Sequence, residues 1–453
     1  METCEIAIVG GGCSGLLVVV QLLRQGFAGS VAIVEMRSRL GRGLAYSTPF
    51  DEHLLNVPAA KMSALPDAPA HFLDWLRARQ GPAVAPGYFA PRRVYGEYLE
   101  DLLRVHREAA ADVPFRHIRA EVTGIELPDA PVLTLHSGEH LRAGRVVLAL
   151  GNPAASPGIG ISRAGLEDRW HLSPWIGDAL RVRFPGERIL LLGTGLTAVD
   201  AALALTAQKT ACRIYMLSRR GLCPQAHDPA SAAGRPPAFG HPQSVRAILH
   251  QVRAEIRTAL DGGSCWRPAI DGLRPVSNQL WRDLPVAEQS RFQRHLRSFW
   301  ETHRHRMAPE VRARFDRCRQ QGILEMLAGR IHEAPRRGGA IELRIALRGG
   351  GERLLEVDRI VNCTGLHENY RDSPRRLVRS LVEQGLASAN ALGLGFRTSG
   401  PGALCGADGR ASRQLFTLGP PRRGELLETT AVPEIRAQAE ALARHLIGTA
   451  GEG

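Results

Sequence analysis

The chain contains one local pattern twice: a short apolar segment that can form a strand, a glycine-rich turn, and an apolar run that can form a helix. In the first copy, Gly10, Gly12 and Gly15 stand between residues 5–9 and the apolar residues 16–23. This order is typical of the Rossmann turn: the first glycine makes the bend, the second admits a pyrophosphate, and the third lets helix and strand pack closely. It predicts an α/β dinucleotide-binding unit.

An acidic residue follows at the distance that this turn requires. Residues 31–34 predict a second buried strand, and Glu35 ends it 20 residues after Gly15. A carboxylate at this position hydrogen-bonds the ribose hydroxyls of an adenosine, while the phosphates lie at the positive end of the helix. The first copy therefore predicts an FAD site.

The second copy begins with the apolar residues 188–192. Gly193, Gly195 and Ala198 follow in the positions of the three small residues, and a helical run then leads to a strand at residues 213–217. Strand, turn, helix and strand again stand in the order of a dinucleotide-binding unit.

The end of that strand differs from the first copy in its charge. Ser218 occupies the position equivalent to Glu35, and Arg219 and Arg220 follow it. Arginine pairs bidentately with phosphate, whereas a carboxylate would repel it, so this pocket is predicted to accept NADPH. A solvated arginine-rich loop, with NADH as the cofactor, is the alternative.

Three further glycines end predicted strands. Gly151 and Gly365 bracket the second copy, and Gly419 follows the last core strand, ahead of a helix from Pro433. The fold class predicted is α/β, with two Rossmann-like domains, for FAD and NAD(P)H, and a helical subdomain. The predicted ranges are 1–160 and 366–453 for the FAD domain, 161–225 and 331–365 for the NAD(P) domain, and 226–330 for the helical subdomain.

Composition excludes several other classes. The eight cysteines include no C-x-x-C pair, and this spacing argues against iron–sulfur, zinc-ribbon and dithiol sites, so we expect no metal. Apolar runs stay below the roughly 18 residues of a membrane span, and we expect a cytoplasmic protein. The net charge of +13 comes from 56 arginines and two lysines spread along the chain, a pattern that fits a compositional bias better than nucleic-acid binding.

Several segments resemble a known family. They are G-R-G-L-A-Y-S-T at residues 41–48, H-L-L-N-V-P-A-A-K-M-S at 53–63 and G-E-L-L-E-T-T-A-V-P-E-I-R at 424–436. The chain resembles the FAD/NAD(P)-binding flavoproteins that include the bacterial FAD-dependent urate hydroxylase and a nitro-forming aspartate N-monooxygenase. More distantly it is similar to class B flavoprotein monooxygenases, although their F-x-G-x-x-x-H-x-x-x-W motif is reduced here to His171 and Trp175, with Gly165 displaced.

The resemblance implies a single-component monooxygenase in which NADPH reduces the flavin and molecular oxygen hydroxylates a small polar or anionic nitrogen compound. Urate is the specific substrate that it suggests. The flavin carries the chemistry, and no catalytic side chain is identified. Asn56 and Lys61 are pocket candidates, and Thr429 and Thr430 are expected near the flavin.

Arginines supply the candidate substrate contacts. Arg42, Arg274 and Arg294 are placed to bind an acidic substrate if the helical subdomain covers the cleft. Two alternatives stay open: an NAD(P)H-dependent flavin oxidase or reductase without hydroxylation, and a non-enzymatic basic binding protein. The expected partners are a small molecule and oxygen, without nucleic acid or membrane, and the sequence does not give the oligomeric state.

Overall fold

The computed structural model describes residues 1–153, 155, 166, 168–240, 242–337 and 339–448. This part of the chain forms two parallel-rich sheets with helices packed against them. The predicted α/β class, with two Rossmann-like units and a helical subdomain, is confirmed. Gly165 and the predicted boundary between residues 160 and 161 lie outside the described residues.

Seventeen strands are present in the described part of the chain. They are β1 Glu2–Val9, β2 Val31–Val34, β3 Phe115–Ile118, β4 Val122–Glu126, β5 Val132–Leu135, β6 His140–Leu148, β7 Trp170–His171, β8 Glu187–Leu192, β9 Cys212–Ser218, β10 Leu324–Glu333, β11 Arg336–Arg337, β12 Ala340–Leu347, β13 Glu352–Val357, β14 Arg359–Asn362, β15 Thr398–Ser399, β16 Ala403–Cys405 and β17 Ala411–Thr417.

Twelve α-helices and three short 3-10 helices accompany these strands in the same residues. The α-helices are α1 Cys13–Arg24, α2 His71–Gln80, α3 Arg92–Ala109, α4 Leu196–Thr206, α5 Val245–Asp261, α6 Arg267–Gly272, α7 Arg274–Asp283, α8 Val286–His295, α9 Arg297–Arg304, α10 Pro309–Gln320, α11 Arg376–Glu383 and α12 Val432–Gly448. The 3-10 helices are Ala59–Lys61, Tyr370–Asp372 and Pro420–Arg422.

The first sheet joins distant parts of the chain. Its order is β15-β16-β17-β6-β1-β2-β3, and β1 pairs in parallel with both β2 and β6. From the last part of the chain, β17 adds in parallel to β6. Helix α1 is buried along nearly its whole length and contacts both α3 and α12. Residues near both ends of the chain therefore build one core.

The second sheet has the order β11-β12-β10-β9-β8-β14-β7. Its parallel part runs from β10 to β7, and β12 and β13 extend it as an antiparallel hairpin. A buried ion pair supports this sheet: Arg359 donates to Glu187 Oε1 at 2.7 Å, and the two side chains are 0% and 1% exposed. The same guanidinium donates to the carbonyl oxygens of Ala179 and Arg181 at 2.5 and 2.8 Å.

The helical subdomain consists of helices α5 to α10, inserted between β9 and β10. Ser244 caps the first of these helices, because its Oγ accepts the amide of Ala247 at 3.2 Å. The range 226–330 that the sequence predicts for the helical subdomain extends into a strand, since β10 begins at Leu324. Strand β10 is stabilised by hydrogen bonds to β9 on one side and to β12 on the other, and these distant partners cannot be read from the local sequence.

Side chains of the helical subdomain hold it to the end of the first unit. The indole of Trp281 donates to the carbonyl of Gly424 at 2.9 Å, and Asn278 exchanges two hydrogen bonds with the backbone of Glu428. The carboxylate of Glu428 accepts from Arg304 at 2.7 Å. The segment expected near a flavin is thus braced by the helical subdomain.

Candidate dinucleotide sites

The first glycine turn has the close approaches that its sequence predicts. Gly10 has φ +103°, and a Cβ there would lie 2.4 Å from the carbonyl oxygen of Ala149. A Cβ on Gly15 would lie 2.0 Å from the carbonyl oxygen of Gly10. Only glycine fits at either position without moving the backbone. The turn therefore packs its backbone closely at the start of α1.

Glu35 lies directly against this turn. Its Oε2 accepts the amide of Gly11 at 3.0 Å, and its Oε1 accepts the amide of Arg37 at 3.0 Å. The two bonds fix the half-buried carboxylate beside the turn, where an adenosine ribose is held in such units. The role of Gly11 was not predicted, because a backbone donor leaves no mark in the residue type.

Gly12 meets a neighbouring loop instead of the strand. Its nearest neighbour is Gly43, whose Cα would be 3.4 Å from a Cβ on Gly12, and the amide of Gly41 donates to the carbonyl of Gly11 at 2.7 Å. The G-R-G segment therefore lies on the first glycine turn. Arg42, between its two glycines, forms a bidentate pair with Glu100 at 2.7 and 3.0 Å.

The second turn repeats this geometry. Gly193 has φ +126°, and a Cβ there would lie 2.5 Å from the carbonyl oxygen of Cys363. Gly195 has open space around its missing Cβ, and Ala198 is fully buried in α4. The hydroxyl of Thr194 donates to Ser218 Oγ at 2.8 Å, which brings the end of β9 to the turn.

The two arginines after Ser218 have different surroundings. Arg219 is exposed, and no hydrogen bond or ion pair of its side chain is present among the described residues. Arg220 is half-buried; its guanidinium donates to Ser298 Oγ and lies 5.1 Å above the ring of Phe299, both on α9. The second site thus contacts the helical subdomain through Arg220.

The predicted crossing turns lie next to one another. Gly151 and Gly365 both have positive φ, +61° and +106°, with open space around them. Beyond each turn the chain forms an isolated antiparallel bridge between Ala155 and Leu366. The two connections between the sheets therefore run side by side.

The last glycine is tied to the segment ahead of α12. Gly419 has φ +70°, its amide donates to Gln438 Oε1 at 3.1 Å, and its carbonyl accepts the hydroxyl of Thr429 at 2.9 Å. Thr429 is fully buried and Thr430 is half-buried. These contacts place the N-terminus of α12 beside Gly419 and α1.

The pocket candidates do not form one cluster. The carbonyl of Asn56 accepts from His227 Nε2 at 2.9 Å, and the side chain of Lys61 is exposed. Arg274 donates to Glu434 at 2.7 Å, and Arg294 is exposed on α8. No contact between Arg42, Arg274 and Arg294 is present in the described part of the chain.

A buried polar cluster that the sequence did not predict joins the two units. His53 donates from Nε2 to the carbonyl of Asp200 at 3.1 Å and accepts the hydroxyl of Thr48 at 2.6 Å. Arg92 pairs with the carboxylate of Asp200 at 2.7 Å. Burial, and then the nearby Arg92, lower the pKa of His53 to about 4, and burial raises the pKa of Asp200 to about 6 against the opposing effect of Arg92.

The cluster predicts a pH effect on stability. Because the folded-state pKa of His53 is lowered from 6.5 to about 4, the unfolded chain alone binds a proton there between these pH values. The stability that neutral His53 contributes above pH 6.5 is therefore lost as the pH falls toward 4, by at most about 1.4 kcal/mol per pH unit. Asp200 acts in the opposite direction in part of this window, because its raised pKa favours protonation of the folded state.

Urea unfolding of the wild type and of His53→Gln between pH 4 and 7 measures this contribution. We expect the difference in unfolding free energy between the two proteins to shrink as the pH falls. His106→Gln is the control, because that histidine is half-buried on α3, away from the cluster. A difference that stays constant across the window would contradict the assignment.

Comparison with known proteins finds a family similarity in the first unit. Residues 7–153 match a family model described as FAD-NAD(P)-binding. An uncharacterized protein of Escherichia coli strain K12 is 24% identical over 256 residues, 49% of this chain and 46% of that protein. The match thus spans less than half the length of this relative.

Solved structures match nearly the whole chain. An ornithine N-hydroxylase of Kutzneria sp. 744, with reduced FAD, NADP+ and L-ornithine, matches at a TM-score of 0.66 and 16% identity over 99% of this chain and all of that one. A bacillithiol disulfide reductase of Bacillus cereus matches at 0.56 and 13%, over 99% of each. The chain thus has the two-unit fold of a flavin-dependent N-monooxygenase, which a reductase shares.

Two other properties of the described residues bear on partners. No helix among them combines the length and apolarity that crossing a membrane requires. No group of three or more histidine, cysteine or acidic side chains among them is arranged to hold a metal ion.

Proposed function

We propose that this protein is an FAD-dependent oxidoreductase that uses NADPH, or NADH, and acts as a single-component monooxygenase on a small nitrogen compound. The observation that carries the proposal is the pair of glycine cradles, at Gly10–Gly15 and Gly193–Ala198, on two sheets joined by adjacent crossings. FAD is assigned to the first sheet, because Glu35 suits a ribose without a phosphate. The nicotinamide cofactor is assigned to the second sheet, where Ser218 replaces the acid.

The residues fit both cofactors. When bound, the flavin supplies hydride acceptance and the reaction with oxygen. The chain would hold the pyrophosphates with turn amides and orient the adenosine through Glu35, and the helical subdomain braces the segment at Thr429 and Thr430. Residues 1–160 and 366–453 form the FAD domain in this proposal, and 161–225 and 331–365 carry the NAD(P) site.

A monooxygenase is favoured over a disulfide reductase by the cysteines. The sequence has no C-x-x-C pair, and the cysteine within the first turn, Cys13, is a half-buried free thiol whose pKa desolvation raises to about 12. A thiol with a raised pKa is a poor nucleophile, because the thiolate is the reactive form. The resemblance of residues 41–63 and 424–436 to the urate hydroxylase family supports a polar or anionic nitrogen compound as substrate, and urate is the first compound to test.

The proposal predicts a yellow protein whose NADPH oxidation responds to its substrate. Purified protein is reconstituted with FAD and mixed with NADPH in oxygenated buffer. Urate and a panel of amino acids and amines are then added one at a time. NADPH consumption is followed by absorbance, and the masses of the products are measured by mass spectrometry. We expect one compound to accelerate NADPH consumption and to gain one oxygen atom. The same protein without added FAD is the control.

Two results would contradict this function. If the protein retains no flavin after reconstitution, it is not a flavoenzyme. If every compound leaves NADPH consumption fully coupled to hydrogen peroxide, the protein is a flavin oxidase, the second function that this fold supports.

A further inference from the structure

A cavity of about 410 Å³ opens at the edge of the second sheet, beside the end of β9. Four of its seven lining residues are arginines, namely Arg219, Arg220, Arg330 and Arg348, and no acidic residue lines it. Arg330 and Arg348 were not predicted as site residues. The cavity therefore combines a large concave volume with an uncompensated positive charge.

The strand pairing explains how distant arginines meet. Ser218 at the end of β9 lies opposite Ala328 of β10, so Arg219 follows the end of β9 while Arg330, two residues after Ala328, continues β10 opposite Ala346 of β12. The amide of Arg348 donates to the carbonyl of Ala328 at 2.9 Å, which brings the end of β12 to the same place. Three strands thus deliver their arginines where the parallel sheet becomes antiparallel.

Gly329 allows strands β10 and β12 to approach each other closely at the base of the cavity. A Cβ on Gly329 would lie 2.5 Å from the carbonyl oxygen of Ala346 on the paired strand. Any larger residue would push β10 and β12 apart, and the arginines that flank this point would separate. The close pairing of β10 and β12 therefore fixes the backbone positions from which the arginine side chains extend.

Within the described part of the chain, three arginines of the cavity lack an acidic side chain as a partner, unlike a nearby arginine on the same hairpin. Side chains of Arg219, Arg330 and Arg348 make no ion pair or hydrogen bond to any described residue, whereas Arg344 on the same hairpin pairs with Glu333 at 3.4 Å. Like charges that face one cavity repel one another, and a bound anion would remove this cost.

We propose that Arg219, Arg330 and Arg348 form a phosphate clamp that selects the 2′-phosphorylated dinucleotide, NADPH, over NADH. The clamp rests on the proposed function, because it lies where the second unit presents the adenosine ribose, beyond Ser218. A 2′-phosphate carries nearly two negative charges at neutral pH, and guanidinium groups pair with it bidentately. Arg220, held by Ser298 and Phe299, positions the loop at the side of the helical subdomain.

Binding measurements test the clamp without turnover. NADP+, NAD+ and 2′,5′-ADP are titrated by calorimetry into the FAD-reconstituted full chain and into R330Q, R348Q and the control R344Q. We expect R330Q and R348Q each to weaken NADP+ and 2′,5′-ADP about tenfold, since a charged hydrogen bond is lost. NAD+ binding should not change in any variant, and R344Q should match the wild type.

Other outcomes overturn the clamp. If R330Q and R348Q bind NADP+ as tightly as the wild type, or lose the same affinity for NADP+ and for NAD+, these arginines do not bind the 2′-phosphate. Melting temperatures of the variants identify any unfolding, and R219Q, on the other strand, then gives a second test of the same phosphate. The flavin spectrum reports separately on the proposed function, so loss of FAD binding and failure of the clamp are distinguishable.

Discussion

Replacing Gly15 by alanine should yield a folded protein that no longer retains FAD. The new Cβ would lie 2.0 Å from the carbonyl oxygen of Gly10, and a backbone atom cannot rotate away as a flexible side chain can. The start of α1 must then move from β1, and the amides that face the pyrophosphate lose their alignment. We expect FAD affinity to fall at least about a hundredfold, the loss of two or more charge-assisted hydrogen bonds.

The absorbance of bound flavin after gel filtration measures this effect. The matched variant is Gly195→Ala in the second turn, where a Cβ meets no atom within 4 Å. This variant should fold and keep its FAD, and its methyl group should instead hinder the approach of NADP+. Circular dichroism and NADP+ titration of Gly15→Ala show whether the second unit is intact. Normal FAD retention in Gly15→Ala would contradict the assignment of the first turn.

Replacing Arg359 by methionine should lower the free energy of unfolding by about 3–5 kcal/mol. The change leaves the carboxylate of Glu187, 1% exposed, without its cation, and leaves the carbonyl oxygens of Ala179 and Arg181 without their donor. Removing one partner of a buried ion pair costs about 3–5 kcal/mol. The second unit should therefore unfold at a lower denaturant concentration.

Urea unfolding followed by circular dichroism gives this free energy. Arg188→Met is the matched control on the neighbouring strand, because Arg188 is 33% exposed and pairs with the exposed Glu356 and the half-buried Asp358. Exposed pairs of this kind contribute about 1 kcal/mol or less. If the two variants lose the same free energy, the Arg359 pair is not the stabilising element of this sheet.

The sequence predicts well those parts of the site that are local. Gly10 and Gly15 stand within six residues of each other, and each must be glycine because of an atom close to it in the chain or on the adjoining strand. Glu35 follows at a distance set by one helix and one strand. Such short spacings can be recognised from a single sequence, and the structure places Glu35 against the turn.

Parts of the site that depend on pairing between distant strands were not predictable. Arg330 and Arg348 reach the cavity only because β10 pairs with β9 on one side and β12 on the other. In a chain with 56 arginines, nothing in the residue type distinguishes these two. The buried contact of His53 with Asp200 spans 147 positions and was missed for the same reason.

The first sheet also has a consequence for synthesis of the protein. Strand β17 pairs with β6, and α12 packs on α1, so the core of the first sheet lacks these two elements until the ribosome has made residues near 448. The second sheet is closed earlier, by β14 at residues 359–362. Domains generally fold in the order in which they emerge. Here, however, all strands of the second sheet are synthesised before β17, so the inserted unit can fold before the N-terminal strands have all of their partners.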